Sequence, residues 1–267
     1  MKIVIGGTGK SGTTALTYKL AEPLTDCRIL FEPPQRRQAL ETTPNVVAKI
    51  KLRDQQDRAL AQTYADYDRR VLLIRDPRDW LISRLFYLWY SRNLPQREFD
   101  VFLTALIRKE QQPAAVDFVS LWPPSMPLSR ELAAAEASAQ LARTLAADGW
   151  FTYRYEGLVA DRFGALGDYL GFAVAAAAEV AARHRRVVRS KAAGNWRHWL
   201  TPRDVEALRP ALTRPMTLMG YADEWTLAEP QTLDPPLGSR YVGGLRGGRL
   251  TRWYRGGRTW LRQRLSW

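Results

Sequence analysis

Short apolar runs rich in β-branched residues alternate along the chain with longer segments of helical period. That alternation predicts βαβ units around a mostly parallel sheet. Lys2 to Ile5 reads as the first strand and Arg28 to Phe31 as a short second one; Val46 to Leu52 mixes apolar and basic positions. Val71 to Ile74 is a continuous apolar run suited to a sheet centre, and Phe151 to Tyr155 supplies a later strand. Helices are expected near 12–22, 55–66, 77–92, 129–147, 157–170, 173–186 and 203–212. Between 93 and 129 five prolines surround a helical stretch at 99–109, which reads as a covering element over a site. The expected class is α/β: a mostly parallel central sheet flanked by helices.

Composition narrows the picture. Hydrophobic residues make up 46% and aromatic residues 11% of 267 positions, enough to bury a core and to exclude wholesale disorder. No run approaches the ~18 apolar residues of a spanning helix, and the start, Met1 to Gly6, passes from one charge into a strand without the apolar core of a secretory signal. A cytoplasmic location is expected, with a peripheral position on the inner face of a membrane if the tail described below docks there. One cysteine, Cys27, excludes an intrachain disulfide framework, and with only His184 and His198 beside it no Cys/His zinc site is expected.

The net charge of +13 is unevenly spread. From Gly238 to Trp267 there are eight arginines and no acid, so the preceding 237 residues hold 32 basic and 27 acidic groups. The proline-bearing stretch 227–237 divides the two regions and reads as a linker. The expected organisation is a domain over 1–226, a linker over 227–237 and a basic, aromatic tail over 238–267.

The first strand runs into Gly6-Gly7-Thr8-Gly9-Lys10-Ser11-Gly12-Thr13-Thr14 and then a helix. Glycines let backbone N–H groups turn inward, the helix N-terminus adds partial positive charge, and Lys10 adds a full one, so the segment is an anion cradle. The nucleotide triphosphatase pattern would require glycine where Val4 stands. Past the central strand comes Arg75-Asp76-Pro77-Arg78-Asp79-Trp80-Leu81-Ile82-Ser83. Pro77 suits a first helical position, which leaves Arg75 at the strand end and Ser83 within the helix, poised to converge on one phosphate.

On these two motifs the chain resembles the sulfotransferases that use 3′-phosphoadenosine 5′-phosphosulfate (PAPS). Their K-S-G-T-T loop binds the 5′-phosphosulfate and their R-x-P-[KR]-x-x-x-x-S segment the 3′-phosphate, in the order found here. Arg154 to Leu158 is similar to the family's Y-E-D-L segment, and Arg189 to Trp196 to its late R-x-G-x-x-G-D-W loop, with Lys191 and Asn195 departing from the pattern. Ala15 stands where many cytosolic members carry an adenine-stacking tryptophan. The resemblance covers about residues 3–225. It implies the P-loop-like sulfotransferase fold, a PAPS donor leaving as PAP, no metal, and a donor site of Gly9, Lys10, Ser11, Gly12, Thr13, Thr14, Arg75, Ser83, Tyr155, Arg189 and Gly194, with Tyr155 near the adenine.

Sulfuryl transfer puts negative charge on the departing phosphate oxygen, and Lys10, the fixed cation of the loop, is the expected stabiliser. The base is expected at Glu32: Phe31-Glu32-Pro33 is similar to the F-E-P segment of carbohydrate sulfotransferases, and its other reading is a helix-capping carboxylate. The K-T-H-L strand segment of cytosolic members corresponds to Lys49-Ile50-Lys51-Leu52, so their histidine is absent; Lys49 and Lys51 share a strand face and suit an anionic acceptor, a position flanking the sulfuryl group, or equally a solvated strand edge. The aromatic run Phe86 to Tyr90 reads mainly as core, and Trp122 as an acceptor-site candidate.

In the tail, the apolar residues of 250–267 fall within about 160° of a helical wheel with most arginines opposite, the pattern of an interfacial helix on an anionic bilayer. Gly256 and Gly257 cost about 1 kcal/mol each relative to alanine, so the helix is expected only when bound. A disordered or domain-packed tail is the other reading, and a nucleic-acid partner is not expected. The leading expectation is transfer to a hydroxyl of a carbohydrate or glycolipid-like acceptor. A nucleotide-dependent small-molecule kinase and a non-catalytic membrane or nucleic-acid binding protein are the alternatives.

Overall fold

A computed structural model describes residues 1–33, 43–91, 94–181 and 191–244. Five strands, β1 (Lys2–Gly7), β2 (Arg28–Phe31), β3 (Val46–Lys51), β4 (Arg69–Ile74) and β5 (Phe151–Arg154), form one sheet in the order β2-β3-β1-β4-β5. Every pairing is parallel. The α/β class expected from the sequence is therefore correct.

Strand alternation sorts the sheet's two faces. Ile3, Ile5, Val47, Val71 and Leu73 point to the side of α1 (Thr13–Ala21), where Leu16 and Leu20 meet them. Val4, Ala48, Ile50, Leu72 and Ile74 point the other way, toward α2 (Arg58–Gln62) and Leu141 and Leu145 of a long later helix. The crossover after β1 thus runs toward β2 on one face, while that after β4 runs toward β5 on the other. Such a reversal leaves a crevice at the carboxyl ends of β1 and β4.

A helical layer completes the core beside the sheet. It comprises α3 (Pro77–Ser91), α4 (Gln96–Gln111), α5 (Leu128–Ala147), and, after α6 (Tyr155–Val159) and α7 (Gly164–Leu170), the short α8 (Trp196–Trp199) and long α9 (Pro202–Leu218). Phe86, Leu88 and Trp89 are buried in this layer with Phe99, Phe102, Trp199 and Leu212, so most of that aromatic run is core, as expected. Arg84 of α3 makes two hydrogen bonds, 2.8 and 2.9 Å, to Glu131 of α5. Thr201 and Asp204 form a capping box at the start of α9, and the Asp204 carboxylate also accepts the N–H groups of Phe118 (2.7 Å) and Val119 (2.9 Å).

Several expectations are corrected. The helix foreseen at 157–170 is broken after Val159, where Asp161 adopts φ 50° and the Arg162 N–H turns back to the Gly157 carbonyl. Residues 173–181 are not helical; Val174 packs against the α1-side core and the Ala175 and Ala176 carbonyls accept from the Lys19 ammonium, and alanine propensity alone does not sustain a short helix. The rest of that expected helix, 182–186, lies outside the described residues. Trp122 is a core residue, edge-on to Phe118 at 6.2 Å, rather than an acceptor-site platform. Much of 94–127 likewise packs into the helical layer.

Residues 227–237 do not hang free between two regions. The Ala228 N–H bonds the Arg197 carbonyl at 2.9 Å, and Leu227 and Leu233 pack against the helical layer. Helical residues follow at 239–244, with Val242 wholly buried and the Tyr241 ring 6.2 Å from Phe86. The chain beyond 244, including the amphipathic segment 250–267, lies outside the described residues. Among the described residues no helix is long and apolar enough to cross a membrane.

Candidate functional site

The loop leaving β1 is shaped by two residues with left-handed backbone, Lys10 (φ 80°) and Gly12 (φ 96°). Gly12 is required on a second ground: a Cβ there would lie 2.6 Å from the Tyr155 ring. Ser11 is fully buried, and its hydroxyl donates to the Thr8 carbonyl at 2.8 Å, fixing the turn from within. Thr13 and Thr14 then begin α1, whose first helical bond runs from the Leu16 N–H to the Gly12 carbonyl. Lys10 extends its ammonium over the Tyr87 ring of α3, 5.1 Å from the centroid.

Arg75 stands where β4 ends, across the crevice from this loop. Its Nη1 donates to the Lys10 carbonyl at 3.2 Å, and its guanidinium lies 4.2 Å above the Tyr155 ring. The two anion motifs, 65 residues apart in sequence, are therefore in direct contact. The Nε of Arg75 is buried without a hydrogen-bond partner. Trp80, one turn into α3, closes the base of the loop by donating its indole N–H to the Gly9 carbonyl at 2.9 Å. A cavity of about 20 Å³ lies below, lined by Gly7, Arg75, Trp80 and Ser138. It is of single-water size and too small to hold a nucleotide.

Asp79, which sequence reasoning passed over, ties in a third segment. Its carboxylate accepts the N–H groups of Gly194 (2.6 Å) and Trp196 (3.0 Å), drawing the late loop onto the first turn of α3. Burial, together with neighbouring Asp76, pushes its pKa up to about 6 against the pull of Arg75 and the two amides. Ser83 is buried one helical turn further on, on the face shared with Asp79 and Trp80. Gly194 adopts φ 77° and has open space where a Cβ would point, while Trp196 is buried under the Arg78 guanidinium at 4.0 Å. Arg189, expected on the same loop, lies outside the described residues. A helix-start acid at Asp79 was the signal available in the sequence.

A second network holds the turn carrying Arg75. The Glu156 carboxylate accepts the Asp76 N–H at 3.1 Å and the Tyr221 hydroxyl at 2.8 Å. Asp76 in turn pairs with Arg78 at 2.7 Å.

Glu32 lies at the carboxyl end of β2, two strands from β1. Its backbone is left-handed (φ 47°), and its carboxylate pairs with Lys49 at 2.8 Å. Partial burial raises its pKa, but the Lys49 hydrogen bond and the charges of Lys49, Lys51 and Arg53 outweigh that and hold it below the ordinary value. Lys49 is in register with Phe31 and Ile5, and Lys51 with Gly7, so both project from the α1 side of the sheet. Lys51 reaches the anion loop: a Cβ on Gly9 would sit 3.3 Å from its Cε. Lys51 thereby bridges the space between Glu32 and the Lys10 loop. Among the described residues no group of acids, histidines and cysteines is arranged to hold a metal ion.

Strand ends, glycine loop and crevice together define an α/β protein with a glycine-rich loop and basic side chains at its switch point. No family model matches the chain, and no curated protein does. Among solved structures it is similar to mouse sulfotransferase SULT7A1 complexed with PAP, at 15% identity and a TM-score of 0.48, over 82% of this chain and 88% of that one.

Proposed function

We propose that the protein is a PAPS-dependent sulfotransferase that transfers a sulfuryl group to a hydroxyl of a carbohydrate or glycolipid-like acceptor. The observation that carries this reading is the contact between the two phosphate motifs: Arg75 touches Lys10 across the switch point, with the Gly194 loop drawn in by Asp79. One anion cradle would fit many phosphate ligands. Two, joined at a fixed separation beside a third backbone loop, suit a nucleotide phosphorylated at both ends.

The residues fit that group. Backbone N–H groups of the Gly9 to Thr14 loop other than that of Ser11, which bonds the Thr8 carbonyl, offer a 5′-phosphosulfate site with the Lys10 ammonium, and Arg75, with an unpartnered buried Nε, Ser83 and the Gly194 loop offer a 3′-phosphate site. Tyr155, beneath Arg75, would border the adenine. When bound, the donor supplies an activated sulfuryl group. Lys10 neutralises the charge that gathers on the phosphate oxygen as the S–O bond breaks. Glu32, ionised at neutral pH, takes the proton of the attacking hydroxyl. Because its pKa is held low it is a weak base, so the proton moves late, once bonding to sulfur has made the hydroxyl acidic.

The kinase alternative is disfavoured by Val4 in place of the Walker glycine and by Arg75, not a metal-binding acid, ending the central strand. An acceptor screen with isotopically labelled donor, read by mass, tests the transfer reaction. A labelled sulfate ester on any saccharide or glycolipid is expected; phosphate transfer from ATP to those same acceptors would overturn the reading.

A further inference from the structure

The cations on the acceptor side of the crevice are not evenly matched with acids. Lys49 pairs with Glu32 at 2.8 Å, Arg84 with Glu131 at 2.8 Å and Arg53 with Asp57 at 3.7 Å. Lys51, in the middle of them, makes no hydrogen bond or salt bridge with any described residue, although it is half-buried. Burial holds its pKa below the ordinary lysine value; the Glu32 charge opposes that shift, and the charges of Arg53, Arg84 and Lys49 add to it. An unpaired, partly desolvated lysine among three other cations is costly in the empty protein. An incoming anion would relieve that cost.

Position decides which anion. Lys51 projects from the same sheet face as Lys49, beside Gly9, while Glu32, the proposed base, lies on the neighbouring strand. The donor phosphates already have cations in Lys10 and Arg75. Resting on that donor reading, we propose that Lys51, with Arg53 at its exposed flank, forms a subsite for an anionic group carried by the acceptor itself, a carboxylate or phosphate ester near the hydroxyl that is sulfated. Lys49 is the poorer anchor, because the Glu32 carboxylate already offsets its charge. The acceptor class is thus an acidic saccharide or sugar phosphate rather than a neutral glycan.

The test uses full-length protein saturated with adenosine 3′,5′-bisphosphate and titrated by calorimetry with glucuronate, glucose 6-phosphate and glucose. At least one of the two anions is expected to bind, with the tighter one identifying the source of the charge, and glucose to bind at least about tenfold more weakly. Lys51→Gln should weaken the anion about tenfold and Arg53→Gln two- to threefold, while Lys51→Arg restores most of the loss. Bisphosphate affinity should stay within about threefold of the parent in all three variants. No binding of either anion to the loaded protein, or an anion affinity indifferent to Lys51→Gln, overturns the proposal. An equal loss of bisphosphate affinity in Lys51→Gln also overturns it, since Lys51 would then belong to the donor site. Failure of the bisphosphate itself to bind would instead remove the donor reading, and this inference with it.

Discussion

The two ends of the crevice are built differently. On the β1–β4 side, the cradle is a backbone loop fixed in shape by left-handed Lys10 and Gly12, by the buried Ser11 hydroxyl, and by the Trp80 indole and one Arg75 Nη1 bond to the Gly9 and Lys10 carbonyls. On the β2–β3 side the pieces are long side chains, Glu32, Lys49, Lys51 and Arg53, meeting through charge. Backbone geometry is preorganised and sets one ligand shape, whereas flexible charged side chains select by sign and tolerate variation in shape. The first region suits an invariant donor and the second an acceptor whose charge matters more than its outline.

The sharpest way to break this contrast is to remove one charge from each side. Lys10→Ala should lower turnover about 10²- to 10³-fold with a much smaller change in affinity for the sulfated donor, because the ammonium acts on charge that appears only during transfer. An unchanged rate would strip Lys10 of that role. Glu32→Gln should reduce turnover about 10²-fold or more while bisphosphate affinity, read by calorimetry, stays at the parent value. Retained activity there would return Glu32 to a merely electrostatic partner of Lys49.

A smaller effect probes how firmly the donor side is assembled. Asp79 binds its proton near pH 6 in the folded chain and near its ordinary value, 3.8, when unfolded. Between those values the folded state holds the extra proton, so stability falls as pH rises from about 4 to 6, by roughly 2–3 kcal/mol from this group, and is level above that. Asp79→Asn should flatten the slope in urea unfolding across that range. A slope identical to the parent would mean that the carboxylate is stabilised by the Gly194 and Trp196 amides as well as it would be by water.

How much of this was legible beforehand differs between the same two regions. All five strands, the α/β class and the two phosphate motifs follow from local patterns: β-branched runs, glycine spacing and a proline at a helix start. The contact of Arg75 with Lys10 is a product of strand order, which places β1 beside β4 although β2 and β3 intervene in sequence. Asp79 was missed because its partners are backbone amides more than a hundred residues away. The break after Val159 and the non-helical 173–181 escaped because helical propensity takes no account of tertiary partners, such as the Lys19 ammonium that the Ala175 and Ala176 carbonyls accept from. Trp122 misled for the opposite reason, since prolines around it suggested a loop while its ring fills the helical layer. Residues 227–237 look like a linker by composition, yet Leu227 and Leu233 pack against the helical layer, as does Val242 beyond them.

The central claim is that this crevice takes a nucleotide phosphorylated at both its 3′ and 5′ positions. Thermal shift of the full-length protein with adenosine 3′,5′-bisphosphate, against ATP with magnesium, tests it most directly. A rise in Tm with the bisphosphate, abolished in Arg75→Ala and weaker or absent with ATP, is the predicted result. Stabilisation by ATP with magnesium and none by the bisphosphate would contradict it.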